Sequence, residues 1–244
     1  MKKLVISILC LIVLGSLTTL NSCKKDEQNN TPEPTTISDN EDNVYNIITI
    51  GTQKWMGENL KTRHYNNGNL IATAHPDSMY STDTTLKFQW AYDRNESSVS
   101  TYGRLYTWYA ITDSRGVCPN GWHIPSDIEW QALSDFLGGD EVAGGKMKEA
   151  GYTHWPIPNT GADNSSGFKG LPAGVLTTVV ENYIGTTSFK GLLGYTQFWS
   201  STEIDEYTAI NRELSDGSAE LYRETGSYIY NYKESGFSVR CIKN

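Results

Sequence analysis

The residue types that most often carry catalysis are present in this chain, but not at catalytic spacing. Its four histidines, His64, His75, His123 and His154, show neither H-E-x-x-H nor any other metal-ligand interval. No G-x-S-x-G turn presents a nucleophilic serine. Acidic residues number 28 against 20 basic ones, yet no two carboxylates are singled out as the acid and base of a glycoside hydrolase. The chemistry that fits is recognition, so the expectation is no enzyme and no cofactor, with hydrolysis as the weaker alternative. Asn159-Thr160-Gly161-Ala162-Asp163-Asn164 is rich in oxygen donors. It reads first as a polar turn and second as a calcium site with Asp163, Asn164 and Glu203 as ligands. Seven Trp and 15 Tyr exceed the 6 Phe, and aromatic rings with a polar edge suit wet, hydrogen-bonded surfaces as well as cores. Trp155, Tyr195 and Trp199 are the candidates for stacking on a ligand such as a sugar ring.

The start of the chain says where such a module would work. Residues 1 to 22 have the layout of a secretory signal, with Lys2 and Lys3, an apolar stretch from Leu4 to Leu14 and small residues leading to Cys23. The stretch is short of the roughly 20 residues that cross a bilayer. Leu20-Asn21-Ser22-Cys23 resembles the lipobox of bacterial lipoproteins, which implies acylation of Cys23 and anchoring in a membrane, at about 0.8 kcal/mol per buried methylene. Residues 23 to 43 then form the lipidated cysteine and a flexible linker, poor in apolar residues and carrying Pro32 and Pro34. Lys24-Lys25-Asp26-Glu27 resembles a surface-export signal of Bacteroidetes lipoproteins, or is simply a solvated spacer. The expected location is the outer membrane, at the cell surface in the first case.

With Cys10 cleaved off and Cys23 acylated, only Cys118 and Cys241 remain, and an oxidising compartment predicts a disulfide between them. No C-x-x-C pair is present. Loss of Lys2 and Lys3 takes the formal charge from -8 to about -10, which repels phosphate backbones and argues against a nucleic-acid partner. Asp77-Ser78-Met79 and Asp83-Thr84-Thr85 resemble acceptor sites of Bacteroidetes O-glycosylation, at Ser78 and Thr84.

Several elements must position these groups within one domain, residues 44 to 244. A hairpin opens it, with β-prone Val44 to Ile50 and Gln53 to Met56 on either side of Gly51-Thr52. Residues 72 to 101 read as a long polar excursion. Tyr102, Leu105, Tyr106 and Tyr109 recur at helical spacing and predict a helix over 102 to 111. Ser126 and Glu129 form an S-x-x-E capping box for a helix whose face is Ile128, Ala132, Leu133, Phe136 and Leu137, ended by Gly138-Gly139. A shorter helix is expected from about Glu141 to Ala150, weakened by Gly144 and Gly145. From Phe168 onward short β-prone runs alternate with Gly, Asn or Asp. The fold class is α+β, an irregular, mostly antiparallel sheet with two flanking helices and long loops.

Six segments, in one order, carry a family resemblance. They are residues 50 to 60 (IGTQKWMGENL), 102 to 110 (YGRLYTWYA), 118 to 130 (CPNGWHIPSDIEW), 164 to 174 (NSSGFKGLPAG), 198 to 203 (FWSSTE) and 236 to 241 (GFSVRC). Together they resemble the Fibrobacter succinogenes major paralogous domain, a family of Bacteroidetes lipoproteins and their relatives. That family is similar in turn to the C-type-lectin-like fold, in its formylglycine-generating-enzyme branch. The resemblance implies N- and C-terminal strands lying together, two helices against the sheet, and a ligand site on the long-loop side. The Glu-Pro-Asn and Trp-Asn-Asp motifs of calcium-dependent lectins do not occur in residues 44 to 244. The redox chemistry of formylglycine-generating enzymes is not expected either, since Cys118 and Cys241 read as a staple. The function expected is a non-catalytic surface binding or adhesion module for a glycan or a protein, or else a structural envelope lipoprotein with a protein partner.

Overall fold

The structure, a computed structural model, describes residues 33–73, 86–181, 184–225 and 232–244. The leader with Cys23, the candidate acceptors Ser78 and Thr84, and His75 lie outside the described residues. Five strands make the first sheet. They are β1 (Thr36–Ser38), β2 (Val44–Ile50), β3 (Gln53–Met56), β6 (Trp122–His123) and β12 (Ile242–Lys243), in the order β1-β2-β3-β12-β6 with antiparallel neighbours. The second sheet holds β7 (Ala173–Glu181), β8 (Ile184–Leu192), β9 (Tyr195–Glu203), β10 (Ala209–Ser215) and β11 (Tyr222–Glu224), in the order β11-β10-β9-β7-β8. Its one parallel contact joins β7 and β9 at Gly174 and Thr196. A short pair, β4 (Gln89–Trp90) and β5 (Leu105–Tyr106), bridges the two sheets.

Four short helices complete the domain: α1 (Val99–Tyr102), α2 (Trp108–Ile111), α3 (Asp127–Phe136) and α4 (Asp140–Met147). Among the described residues no helix is long and apolar enough to cross a membrane. The architecture is thus the expected mostly-β α+β class, with the C-terminal strand β12 beside β3 of the opening hairpin. The single helix expected over 102 to 111 is not formed. Gly103 turns the chain at φ 75°, Leu105 and Tyr106 extend into β5, and Thr107 restarts helical structure by accepting the Ala110 N–H on its side chain. Of the four positions at helical spacing Leu105 and Tyr106 are buried in β5, while Tyr102 and Tyr109 sit half-buried in the helices on either side, so tertiary packing overrides the local period.

Helix α3 carries the full capping box: the Ser126 side chain accepts the Glu129 N–H while the Glu129 carboxylate accepts the Ser126 N–H at 2.8 Å. Its inward face is Trp130, Leu133 and Leu137, all buried. Ile128, Ala132 and Phe136, assigned to that face by spacing, instead form an outward stripe, with Ile128 80% and Phe136 64% exposed. The two glycines of α4 are what let it dock. A Cβ on Gly144 would collide with the backbone of Glu220, and one on Gly145 with the carbonyl of Gly161.

Among the described residues a small hydrophobic cluster of Trp90, Leu105 and Leu176 and two larger ones fill the interior. One gathers Trp55, Trp130, Phe168 and Phe198, with ring centroids 4.7 to 6.2 Å apart. The other packs Trp199 on Phe237 at 4.3 Å and contains the Cys118–Cys241 disulfide, the pairing expected from the cysteine count. That bond closes 123 residues of sequence, for which chain entropy alone gives about 5 kcal/mol.

Among the described residues, two cations are buried without a carboxylate partner. Lys148 has three N–H donors and three acceptors, the carbonyls of Thr160, Ser215 and Ser218 at 2.9, 2.8 and 2.7 Å. Arg240 is the other, and lies between the sheets. Burial pushes the Lys148 ammonium down to about 8 from its ordinary 10.5, and the Arg240 guanidinium down to about 9 from 12.5. Between pH 8 and 9 the unfolded chain therefore holds the Lys148 proton more tightly than the folded one, and stability rises with pH. The urea midpoint is expected to climb over that interval, and Lys148→Met is expected to flatten the climb. An unchanged slope in the variant would show that another group titrates there.

Candidate functional site

The residues proposed from sequence as a stacking platform are not one. Trp155 and Trp199 are 1% and 0% exposed, and their indole N–H groups donate inward to the carbonyls of Gly170 at 2.9 Å and Tyr106 at 2.7 Å. Tyr195 is half-buried against the same core as Trp199. The proposed calcium ligands are likewise spoken for. Asp163 accepts the Ser165 N–H and Asn164 the Lys169 N–H, both at 2.8 Å, while Glu203 is paired with Lys233. Among the described residues no group of three His, Cys, Asp or Glu side chains is placed to hold a metal. The three described histidines each lie against a glutamate: His64 on Glu41, His123 on Glu129 and His154 on Glu149, at 2.6, 2.8 and 2.7 Å.

Exposed aromatic surface occurs elsewhere, where the β9–β10 turn meets the segment before residue 236. Asp205 builds the turn: its carboxylate accepts the N–H groups of Tyr207 and Thr208, both at 2.8 Å, which holds its pKa below the ordinary carboxylate value. The turn leaves Tyr207 62% exposed. Alongside, Thr208 pairs with Tyr232 in an antiparallel bridge, and the Lys233 N–H donates to the Tyr207 carbonyl at 2.9 Å. Tyr232 is 43% exposed. The two phenols therefore stand on backbones that are hydrogen-bonded to each other.

Lys233 is the internal brace of this surface. Its buried ammonium donates to the Glu203 carboxylate and to the carbonyls of Asp205 at 2.6 Å and Glu206 at 3.0 Å. It also lies 4.6 Å from the Trp108 ring centre, a cation–π contact. Trp108 is fixed by its own N–H on the Ser200 carbonyl at 3.0 Å, and Tyr109 meets it edge-on at 6.2 Å. Glu203, Asp205, Glu206 and Glu234 surround the rings. Burial, and then Glu234, Glu203 and Glu206, push the Tyr109 phenol up, and a hydrogen bond to Glu206 pushes the Tyr207 phenol up. Aromatic faces can stack on the C–H face of a ligand while carboxylates and phenols meet its hydroxyls. The negative rim disfavours anions.

This assembly went unread in the sequence because Tyr207 and Tyr232 sit in no periodic pattern. The one local signal was Asp205 followed by Thr208 between two β-prone runs, a turn signature.

The described residues thus form a mostly-β α+β domain, closed by the Cys118–Cys241 disulfide and displaying a braced aromatic surface. The chain belongs to the Fibrobacter succinogenes major domain family, whose model matches residues 48–243. Comparison with curated proteins and with solved structures returns no match.

Replacing the brace tests its part. Lys233→Met is expected to cost about 2 kcal/mol, since it strands a carboxylate and two carbonyls, and to speed proteolytic cleavage within residues 204 to 207. Cleavage at the parental rate would show that the turn holds itself.

Proposed function

We propose that the protein is an outer-membrane lipoprotein, anchored through Cys23, that acts as a non-catalytic binding module and lays a neutral glycan across Tyr207, Tyr232, Tyr109 and Trp108. The observation that carries this reading is the presence of two exposed tyrosines, Tyr207 and Tyr232, on neighbouring segments whose backbones are hydrogen-bonded to each other and tied together by Lys233. Rings fixed before binding lose little side-chain entropy on contact, and a preorganised surface converts more of its contact energy into affinity. The carboxylate rim supplies acceptors for sugar hydroxyls. A C-type-lectin-like architecture is the finer fold reading that goes with it, supported by β12 lying beside β3 and by α3 and α4 packing on the sheets.

A second reading has its own support. The outward stripe of Ile128, Ala132 and Phe136 on α3 is an apolar face of the kind that meets another protein. In that reading the chain is a structural envelope lipoprotein. A photo-crosslinker at position 132 in living cells would then capture one dominant neighbour, and a ladder of unrelated products would speak against it.

For the glycan reading, the full chain is screened on an array of neutral host, plant and microbial glycans. Binding is expected to survive a chelator and to weaken about tenfold for Tyr207→Ala and for Tyr232→Ala, as for a central aromatic contact. Absence of binding across the array, or binding indifferent to both substitutions, defeats this reading.

A further inference from the structure

A second concave site lies away from the aromatic surface. Three stretches distant in sequence, residues 57 to 59, 100 to 101 and 154 to 171, converge with Arg240 around a cleft of about 280 Å³. That volume sits at the small end of ligand pockets and suits a single ring-sized molecule. Its lining sets the polar side chains of Arg240, His154, Lys169, Ser100, Thr101 and Asn59 among apolar surface that includes Leu171. Glu58 completes the wall.

Glu58 and Glu149, the two carboxylates at the cleft, balance the charges of Arg240 and Lys169, so any preference for an anion rests on where the donors lie and not on net charge. Glu58 accepts the Asn46 backbone N–H at 2.8 Å and the Asn46 side-chain amide at 2.5 Å. Glu149, behind the lining, accepts from His154 at 2.7 Å and stands 3.6 Å from Lys169. Both carboxylates are thereby engaged. Arg240 is 2% exposed and pairs with no carboxylate among the described residues. It donates Nε–H to Asn59 at 2.8 Å, Nη1 to the carbonyls of Met56 and Phe168 at 3.2 and 2.6 Å, and Nη2 to the carbonyl of Lys169 at 3.4 Å.

A guanidinium has five N–H donors, so one Nη2 donor is left without a partner among the described residues. The contrast with Lys148 is instructive, since there every donor finds a carbonyl. A buried positive charge that is bonded only to neutral groups, has a spare donor and lines a cleft is a site for an anion. His154 reinforces this. Its Nδ1 faces Glu149, which leaves Nε2 as the second polar atom of a cleft-lining ring, and the Tyr102 ring holds the imidazole edge-on at 5.9 Å.

We propose that this cleft binds a small hydroxy acid, its carboxylate seated between Arg240 and Lys169 and its hydroxyls meeting Ser100, Thr101 and His154. A free organic acid and the terminal uronic acid of a glycan share that chemistry. The proposal is independent of the aromatic surface, whose carboxylate rim selects against the same ligand.

The test is titration calorimetry of the full chain with D-glucuronate, with D-glucose, which has a hydroxymethyl group where the acid has a carboxylate, and with citrate. Saturable binding of an acid at least tenfold tighter than glucose is the expected result, one charge-assisted contact being worth about that factor. Arg240→Gln sits in the core and can fail to fold, so Lys169→Ala and Thr101→Val, both at the cleft wall, carry the assignment. Lys169→Ala is expected to weaken the acid severalfold, and Thr101→Val to weaken glucuronate more than citrate. Equal affinity for glucose and glucuronate overturns the proposal. So does the lack of any saturable acid binding at tens of millimolar, or acid binding untouched by Lys169→Ala.

Discussion

The arrangement on which the rest of the molecule depends is the passage of residues 236 to 242 through its centre. Gly236 exchanges backbone hydrogen bonds with Leu176, and Phe237 with Tyr106. Ser238 bonds to Gln197 and Trp199, Val239 to Leu60 and Cys241 to Met56. Ile242 then lies between Trp55 and His123. One short segment therefore belongs to both sheets and to the β4–β5 pair that bridges them. Gly236 has no side chain for a physical reason, since a Cβ there would press on Leu176 at 3.0 Å and Trp90 at 3.3 Å. Arg240 pins the segment to the carbonyls of Met56, Phe168 and Lys169 and to the Asn59 side chain, and Cys241 ties it covalently to Cys118.

This construction accounts for the division of the aromatic residues. The hydrophobic clusters gather around the central segment and take up most of the tryptophans, of which Trp55, Trp130, Trp155 and Trp199 turn their N–H onto a nearby acceptor, mostly a backbone carbonyl. Tyrosine is left for the periphery, where its hydroxyl can meet water. The exposed aromatic surface and the Arg240 cleft are thus both borders of one interior, and each is held by a buried cation, Lys233 in the first and Arg240 in the second. Buried cations cost stability unless their donors are met. Lys233 meets its cost with a carboxylate and two carbonyls, whereas Arg240 does so with neutral oxygens alone.

Features encoded by neighbouring residues were legible in the sequence. The capping box of α3, the Gly51-Thr52 hairpin, the α4 helix, the disulfide and the runs that became β7 to β10 all rest on spacing within a few residues or on counting cysteines. Failures arose where distant segments decide. The periodic set Tyr102, Leu105, Tyr106 and Tyr109 imitates a helix face, but Gly103 and the pairing of Leu105 and Tyr106 with Gln89 and Trp90 break it up. The apolar positions of α3 split between two faces because Trp130, wide enough to reach Trp55, Phe168 and Phe198, sets the helix rotation. Trp155 and Trp199 looked like surface rings because their carbonyl partners lie 15 and 93 residues away. Lys148, Lys233 and Arg240 gave no sign of burial, since their acceptors are main-chain oxygens that every sequence possesses.

The placement of residues 236 to 242 also sets an order of events during biosynthesis. A chain emerging amino end first can form its hairpins and helices early, but the stretch that joins the layers arrives among the last residues described. Until it arrives the sheets have no common member, and the lining of the Arg240 cleft lacks its charge. Joining of the layers therefore waits until nearly all of the described chain has been made.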